Sequence, residues 1–190
     1  GVFDYVRAGR IGLGAWYWGK LLGRFAVVFL PVVLAMFGGV AWGALRGAEV
    51  PWSLLLYYTG LLMALAWCFL GIGMLISTLT RSADVAQGAA FVTWLTLLLF
   101  LDLILLGVMI RGALPPEAAV AIALLNPLQV FRTAAMMLFD HQLVLLGPSA
   151  YVILDHFGNL GYMVYALVYP IALGTLCAWL GYRSFTRSDL

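Results

Sequence analysis

One carboxylate lies where a carboxylate is expensive. Asp102 sits inside Gln87 to Met109, QGAAFVTWLTLLLFLDLILLGVM, a run with no other ionisable side chain. About 20 apolar residues at 1.5 Å rise cross a hydrocarbon core of roughly 30 Å, so the run fits a bilayer. A charged acid at that depth costs about 2.5–3.5 kcal/mol on insertion scales. Two roles follow for it. It is a structural acid, paired with an arginine or neutral and hydrogen-bonded to backbone, or it lines a substrate path. A second set is aromatic and polar: Asn159, Tyr162, Tyr165 and Tyr169 share one helix face. Such a stripe lines a passage, or it is an aromatic belt with tight packing. A third set is Asp140-His141 and Asp155-His156, near Met136 and Met137. These are copper-type donors. Gly147-Pro148 separates the two pairs, so they read more simply as solvated loop residues, and no metal site is assigned.

Other chemistry is missing from the sequence. No Gly-rich loop ends in Lys-Ser/Thr, so ATP is not bound by that route. No hydrolase or dehydrogenase motif is present. Cys68 and Cys177 lie in apolar runs and suggest neither a disulfide framework nor a zinc site. The chain is expected to be no enzyme, to hold no cofactor and to bind no nucleic acid.

The elements that must position these residues are membrane helices. Of 190 residues, 65% are hydrophobic and 9% charged, with mean hydropathy +1.05. Soluble domains run near 45–50% apolar and 25% charged. The expected fold is an all-α polytopic membrane protein. It has four transmembrane helices in this fragment and a broken amphipathic helix pair on the outer face.

Residues 1–24 mix Arg7, Arg10, Lys20 and Arg24 with Trp16, Tyr17 and Trp18, as an interfacial segment does. Three spans fill 25–110. The first runs from about Phe25 to Leu45, with Pro31 as a kink candidate and Ala35, Gly39, Gly43 and Gly47 as a small-residue row. The second runs from about Ser53 to Ile76, with Gly60, Ala64 and Cys68 as another row. The third is the Asp102 helix, with Asp84 as its N-cap. Residues 111–158 form the outer pair. Asn126 caps a helix starting at Pro127, Gln129 completes a box-like cap, and the helix ends near Phe139. Its apolar face is Leu128, Phe131, Ala135, Leu138 and Phe139. A second short helix, Ser149 to Phe157, stops at Gly158. The last span is 159–182, kinked at Pro170, and 183–190 is a basic tail. Gly1 opens directly into a polar, aromatic segment, so the chain is expected to be the C-terminal part of a longer protein.

Charge placement orients the bundle. Arg7, Arg10, Lys20, Arg24, Arg81, Arg183 and Arg187 collect on one side, against Arg46, Arg111 and Arg132 on the other. The positive-inside rule puts the first set, and the C-terminus, in the cytoplasm.

Three stretches resemble the membrane permease of ABC-2 type transporters. Gly1-Val2-Phe3 leading to Gly19-Lys20, with Gly23 following, is similar to the family's cytoplasmic coupling segment. FLDLILL, Phe100 to Leu106, resembles its Phe-Asp-Leu motif and falls on Asp102. LLNPLQVFR, Leu124 to Arg132, resembles its Leu-Asn-Pro…Tyr/Phe-Arg motif. Within the family the pattern is most similar to the NosY-type permeases of nitrous oxide reductase maturation. Arg10 and Leu13 depart from the family's Pro and Arg, and Val2 replaces its Thr.

The resemblance implies a multi-pass permease of the bacterial inner membrane that forms a homodimer. Gly1, Phe3, Arg10, Gly19 and Lys20 would dock on a separate cytoplasmic ATPase, which holds ATP-Mg. Asn126, Pro127 and Arg132 carry the outer motif. A periplasmic partner and assembly of a copper–sulfur centre follow from the NosY likeness. The alternatives are an ABC-2 exporter of an unrelated substrate, or a membrane assembly or anchoring protein that moves nothing. An intramembrane enzyme needs more convergent polar groups than Asp102 and the tyrosines provide.

Overall fold

The computed structural model describes residues 12–100, 103, 107, 116–139 and 148–188. These form helices α1 (Leu13–Leu45), α2 (Trp52–Leu79), α3 (Ala83–Leu95), α4 (Pro116–Leu124), α5 (Pro127–Met137) and α6 (Pro148–Ser188). A π-turn, Thr96–Phe100, extends α3. Three stretches are long and apolar enough to cross a bilayer: α1, α2 and Asp155–Arg187 of α6. A shorter apolar helix covers Ala83–Leu99. Beyond Phe100 the run placed as the third span, Asp102 included, lies outside the described residues, save Leu103 and Gly107, both helical.

Several boundaries differ from the sequence expectation. α1 begins at Leu13, not near Phe25. Nothing between them breaks a helix, and Trp16, Tyr17 and Trp18 of this stretch pack toward α6. α1 also passes through Pro31 without interruption. The N-cap of α3 is Ser82, not Asp84: the Ser82 hydroxyl accepts from the Val85 amide at 3.3 Å. Asp84 sits in the first turn, where a carboxylate still complements the helix dipole. α6 continues helically into the basic tail, and it is broken at Gly158, as expected. There φ is 62° and ψ 172°, a conformation that belongs almost solely to glycine.

Packing centres on α2 against α6. Inside a bilayer little hydrophobic force draws helices together, so close backbone approach and van der Waals fit must do it. Ala64 and Cys68 of α2 are fully buried, as is Ala178 of α6. Gly71 and Gly174 meet backbone to backbone: a Cβ on Gly174 would lie 2.7 Å from the Cys68 Cα and 2.8 Å from the Trp67 carbonyl oxygen. Gly60 borders the same seam, its missing Cβ 3.4 Å from Leu167. The α2 row read from the sequence is therefore this interface. The α1 row is different. Gly39 has nothing within 4 Å of where its Cβ would be.

Two clusters close the ends of this seam. Leu61, Val120, Val130, Ala134, Met137, Tyr162 and Ala166 gather α4 and α5 onto α2 and α6. At the other end Tyr17 and Leu21 of α1 pack on Met74 and Ala178.

Candidate functional site

The α4–α5 break buries a polar side chain among apolar helices. Asn126 is buried and works in two directions. Its Oδ1 accepts from the Leu128 amide at 3.0 Å, capping α5, with Pro127 in the first turn. Its Nδ2 donates to the Leu97 carbonyl at 2.7 Å. That carbonyl belongs to the π-turn. Upstream, the Thr93 and Thr96 hydroxyls donate back to the carbonyls of Ala89 and Val92, each at 2.8 Å, a pattern that loosens a helix. Asn126 thus fixes the irregular turn that leads toward Asp102.

The box-like cap is not completed. Gln129 Oε1 is buried with no hydrogen-bond partner among the described residues. The Asn126 amide, which a capping box would donate to Gln129, donates to the Ala123 carbonyl at 3.0 Å instead. The face of α5 is also rotated from expectation. Val130, Thr133, Ala134 and Met137 are buried, whereas Phe139 is 76% exposed. Small residues at Thr133 and Ala134 let α5 lie close to Tyr162, and that contact, more than apolar count, chooses the face.

The tyrosine stripe completes the break. Pro127 has no N–H and Asn126 takes the Leu128 amide, so the last carbonyls of α4 lose their helical donors. Tyr165 donates to the Leu124 carbonyl at 2.8 Å and Tyr169 to the Leu125 carbonyl at 2.6 Å. Tyr162, buried, reaches the Val130 carbonyl at 3.5 Å. Tyr165 and Tyr169 stack at 5.2 Å, while Asn159 is exposed. From α2, Tyr57 donates to the Met163 carbonyl at 2.9 Å. Tyr165→Phe and Tyr169→Phe are each expected to cost about 1–2 kcal/mol by orphaning a carbonyl. Thermal unfolding in detergent would register this as a lowered midpoint for each variant.

At the opposite end, Gly19 and Lys20 are exposed on the first turns of α1, back to back with buried Tyr17 and Leu21. The Lys20 ammonium lies 4.8 Å from the Trp16 ring centroid. Trp16 stacks on Phe185 at 5.7 Å and Tyr17 donates to the Ala178 carbonyl at 2.9 Å. These contacts bring Lys20 and Arg24 to the same end as Arg183 and Arg187 of α6. Arg183 lies 3.9 Å over Trp179. Gly1, Phe3 and Arg10 lie outside the described residues.

Asp155 and His156 are exposed, and Asp140 and His141 lie outside the described residues. Among the described residues no group of three or more His, Cys, Asp or Glu is placed to hold a metal ion. Sequence reasoning missed Tyr57 and the π-turn. The Thr93/Thr96 pair was the available signal for the turn.

Residues 18–190 match the family model described as "ABC-2 family transporter protein". No curated protein and no solved structure matches.

Proposed function

The chain belongs to the ABC-2 transporter family, as a membrane permease component without an ATPase site, and from that premise we propose how it works. It couples ATP hydrolysis on a separate cytoplasmic subunit to movement of a substrate across a bacterial inner membrane. The match over residues 18–190 carries this reading. Membership implies the ATPase partner, since the permease cannot hydrolyse ATP itself.

In this reading the end bearing Lys20, Arg24, Arg183 and Arg187 faces the cytoplasm, in keeping with the positive-inside rule. Gly19 and Lys20, with Gly1, Phe3 and Arg10 before them, form the surface on which the ATPase docks. α1 is fastened to α6 through Trp16 and Tyr17. A push on the start of α1 therefore reaches α6, and through Tyr165 and Tyr169 the α4–α5 break. Asp102, on the third span of the sequence reading, lines the passage in this proposal. The subunit pairs with a second copy. The resemblance of FLDLILL and LLNPLQVFR supports a NosY-type role, with a periplasmic partner and copper–sulfur centre assembly as its outcome.

Affinity purification of the full-length parent in mild detergent, followed by mass spectrometry, tests this. A P-loop ATPase in equal amount is expected, and a copper-handling periplasmic protein alongside it would select the NosY-type role. Recovery of the chain without an ATPase in every detergent would overturn the coupling role and leave an anchoring protein.

A further inference from the structure

Helix α6 ends in a basic face. Among the described residues, Leu180, Arg183, Ser184 and Arg187 line one open recess. Residues at this spacing share one side of a helix. Arg183 and Arg187 are exposed, and the same side runs on into the bundle's span through Leu180, Leu176 and Ala172, exposed as well. The Arg183 guanidinium lies 3.9 Å over the Trp179 ring. Stacking uses the face of a guanidinium and leaves its in-plane N–H donors unspent. Among the described residues the Arg187 guanidinium meets no acid. Like charges one turn apart repel, and an anion set between them relieves the repulsion.

The depth of this face follows from three helices. Asn159 to Arg183 covers about 36 Å at 1.5 Å per residue, more than a hydrocarbon core of roughly 30 Å and less than the about 40–45 Å that includes both headgroup layers. Arg183 therefore stands just outside the core edge, and Arg187 about 6 Å further out. On α1, Arg24 donates to the Met74 sulfur at 3.5 Å, and Met74 packs with Ala178, so a second basic residue marks the same edge. On α2, Leu75 meets Gly181, and Arg81 follows beyond the helix end. Trp179, exposed beside the arginines, suits the aromatic belt of this layer.

We propose that this face binds a membrane phospholipid with an anionic headgroup, the phosphate between Arg183 and Arg187 and an acyl chain along Leu180, Leu176 and Ala172. Two planar donor forks suit phosphate oxygens, and the Ser184 hydroxyl is a further donor. Ala172 lies about 16 Å below Arg183, the depth of roughly one leaflet. A water-borne protein would meet the arginines but not the apolar row at core depth, whereas a lipid meets both. The site needs only a chain embedded in a membrane and is independent of the coupling role; in the orientation proposed above, its lipid belongs to the cytoplasmic leaflet.

The test uses the full-length protein in nanodiscs of phosphatidylglycerol and phosphatidylcholine in equal amounts, with a photoreactive acyl chain on one lipid or the other. Crosslinks are mapped by mass spectrometry, and Leu34, exposed on α1 in the middle of its span, gives the baseline ratio. At Leu176 to Leu180 the anionic lipid should be favoured about 25-fold, roughly fivefold for each basic residue near such a headgroup. Arg187→Gln should lower that ratio about fivefold, and Arg183→Gln with Arg187→Gln should bring it to the baseline. Both positions are exposed and glutamine is a good helix former, so the variants keep the fold. Arg46→Gln, at the other end of α1, should change nothing. A parent ratio at the baseline would overturn the proposal. So would an equal loss in Arg46→Gln, a ratio that survives the double variant, or crosslinks at Leu176 to Leu180 to another protein chain in place of lipid.

Discussion

Gly174→Ala is expected to remove most of the protein from the membrane fraction. The new methyl would lie 2.7 Å from the Cys68 Cα and 2.8 Å from the Trp67 carbonyl. Both are backbone atoms, so no rotamer change relieves the clash and α2 must move away from α6 as a whole. Overpacking a core costs about 1–3 kcal/mol where side chains can yield, and here the loss should be at the top of that range or above it. Gly71→Ala meets the Gly174 carbonyl from the other side and should behave alike. Gly39→Ala, on the open row of α1, should accumulate normally, with a small gain in helix propensity. Fluorescence-detected size exclusion of all three, with a thermal midpoint for each, separates the cases. A Gly174→Ala protein that elutes and melts like the parent would refute the backbone contact.

Asn126 offers the second large effect, because one side chain serves two elements. Asn126→Ala loses the α5 cap, worth about 1 kcal/mol, and strips the donor from the Leu97 carbonyl, worth roughly 1–3 kcal/mol when buried. Asn126→Asp divides these. It keeps an acceptor for the Leu128 amide but sets a carboxylate oxygen against the Leu97 carbonyl oxygen. If the link to the π-turn matters most, Asn126→Asp should be at least as damaging as Asn126→Ala. If the cap dominates, Asn126→Asp should melt close to the parent. Cysteine accessibility along α3 gives the complementary readout, since release of the turn should raise labelling near Thr96 to Phe100 while leaving α2 unchanged.

What was legible in the sequence was whatever a single element decides for itself. Asn126-Pro127 announced a helix start because cap chemistry is local, and Gly158 announced a break for the same reason. The tyrosine spacing gave the right face of α6, though not what the hydroxyls meet. What was hidden depended on a partner. The buried face of α5 was set by Tyr162, 32 residues beyond Val130 and invisible to periodicity. Asp84 reads as the cap of α3, but serine caps as well as aspartate, and backbone geometry starts the helix at Ser82. The α2 row pointed to a partner helix, yet the complementary residues Gly174, Ala178 and Gly181 went unread because Trp179 and Leu180 sit among them. The start of α1 reads as an interfacial segment from tryptophan and lysine, and that Trp16 also stacks on Phe185 was hidden because the partner lies on α6.

The bond from Tyr17 to the Ala178 carbonyl bears on how the protein is made. Ribosomes deliver α1 and α2 before α6, so the Tyr17–Leu21 face meets Met74 of α2 first and lacks Ala178 until α6 is made. The three spanning stretches fall in apolarity in the order of synthesis: α1 is the most apolar, α2 next and α6 the least. The one that arrives last, carrying Tyr162, Tyr165 and Tyr169, enters when their acceptors on α4 and α5 have already been translated. Arrival of α6 is then the moment at which the Tyr17 hydroxyl acquires its acceptor, the Ala178 carbonyl.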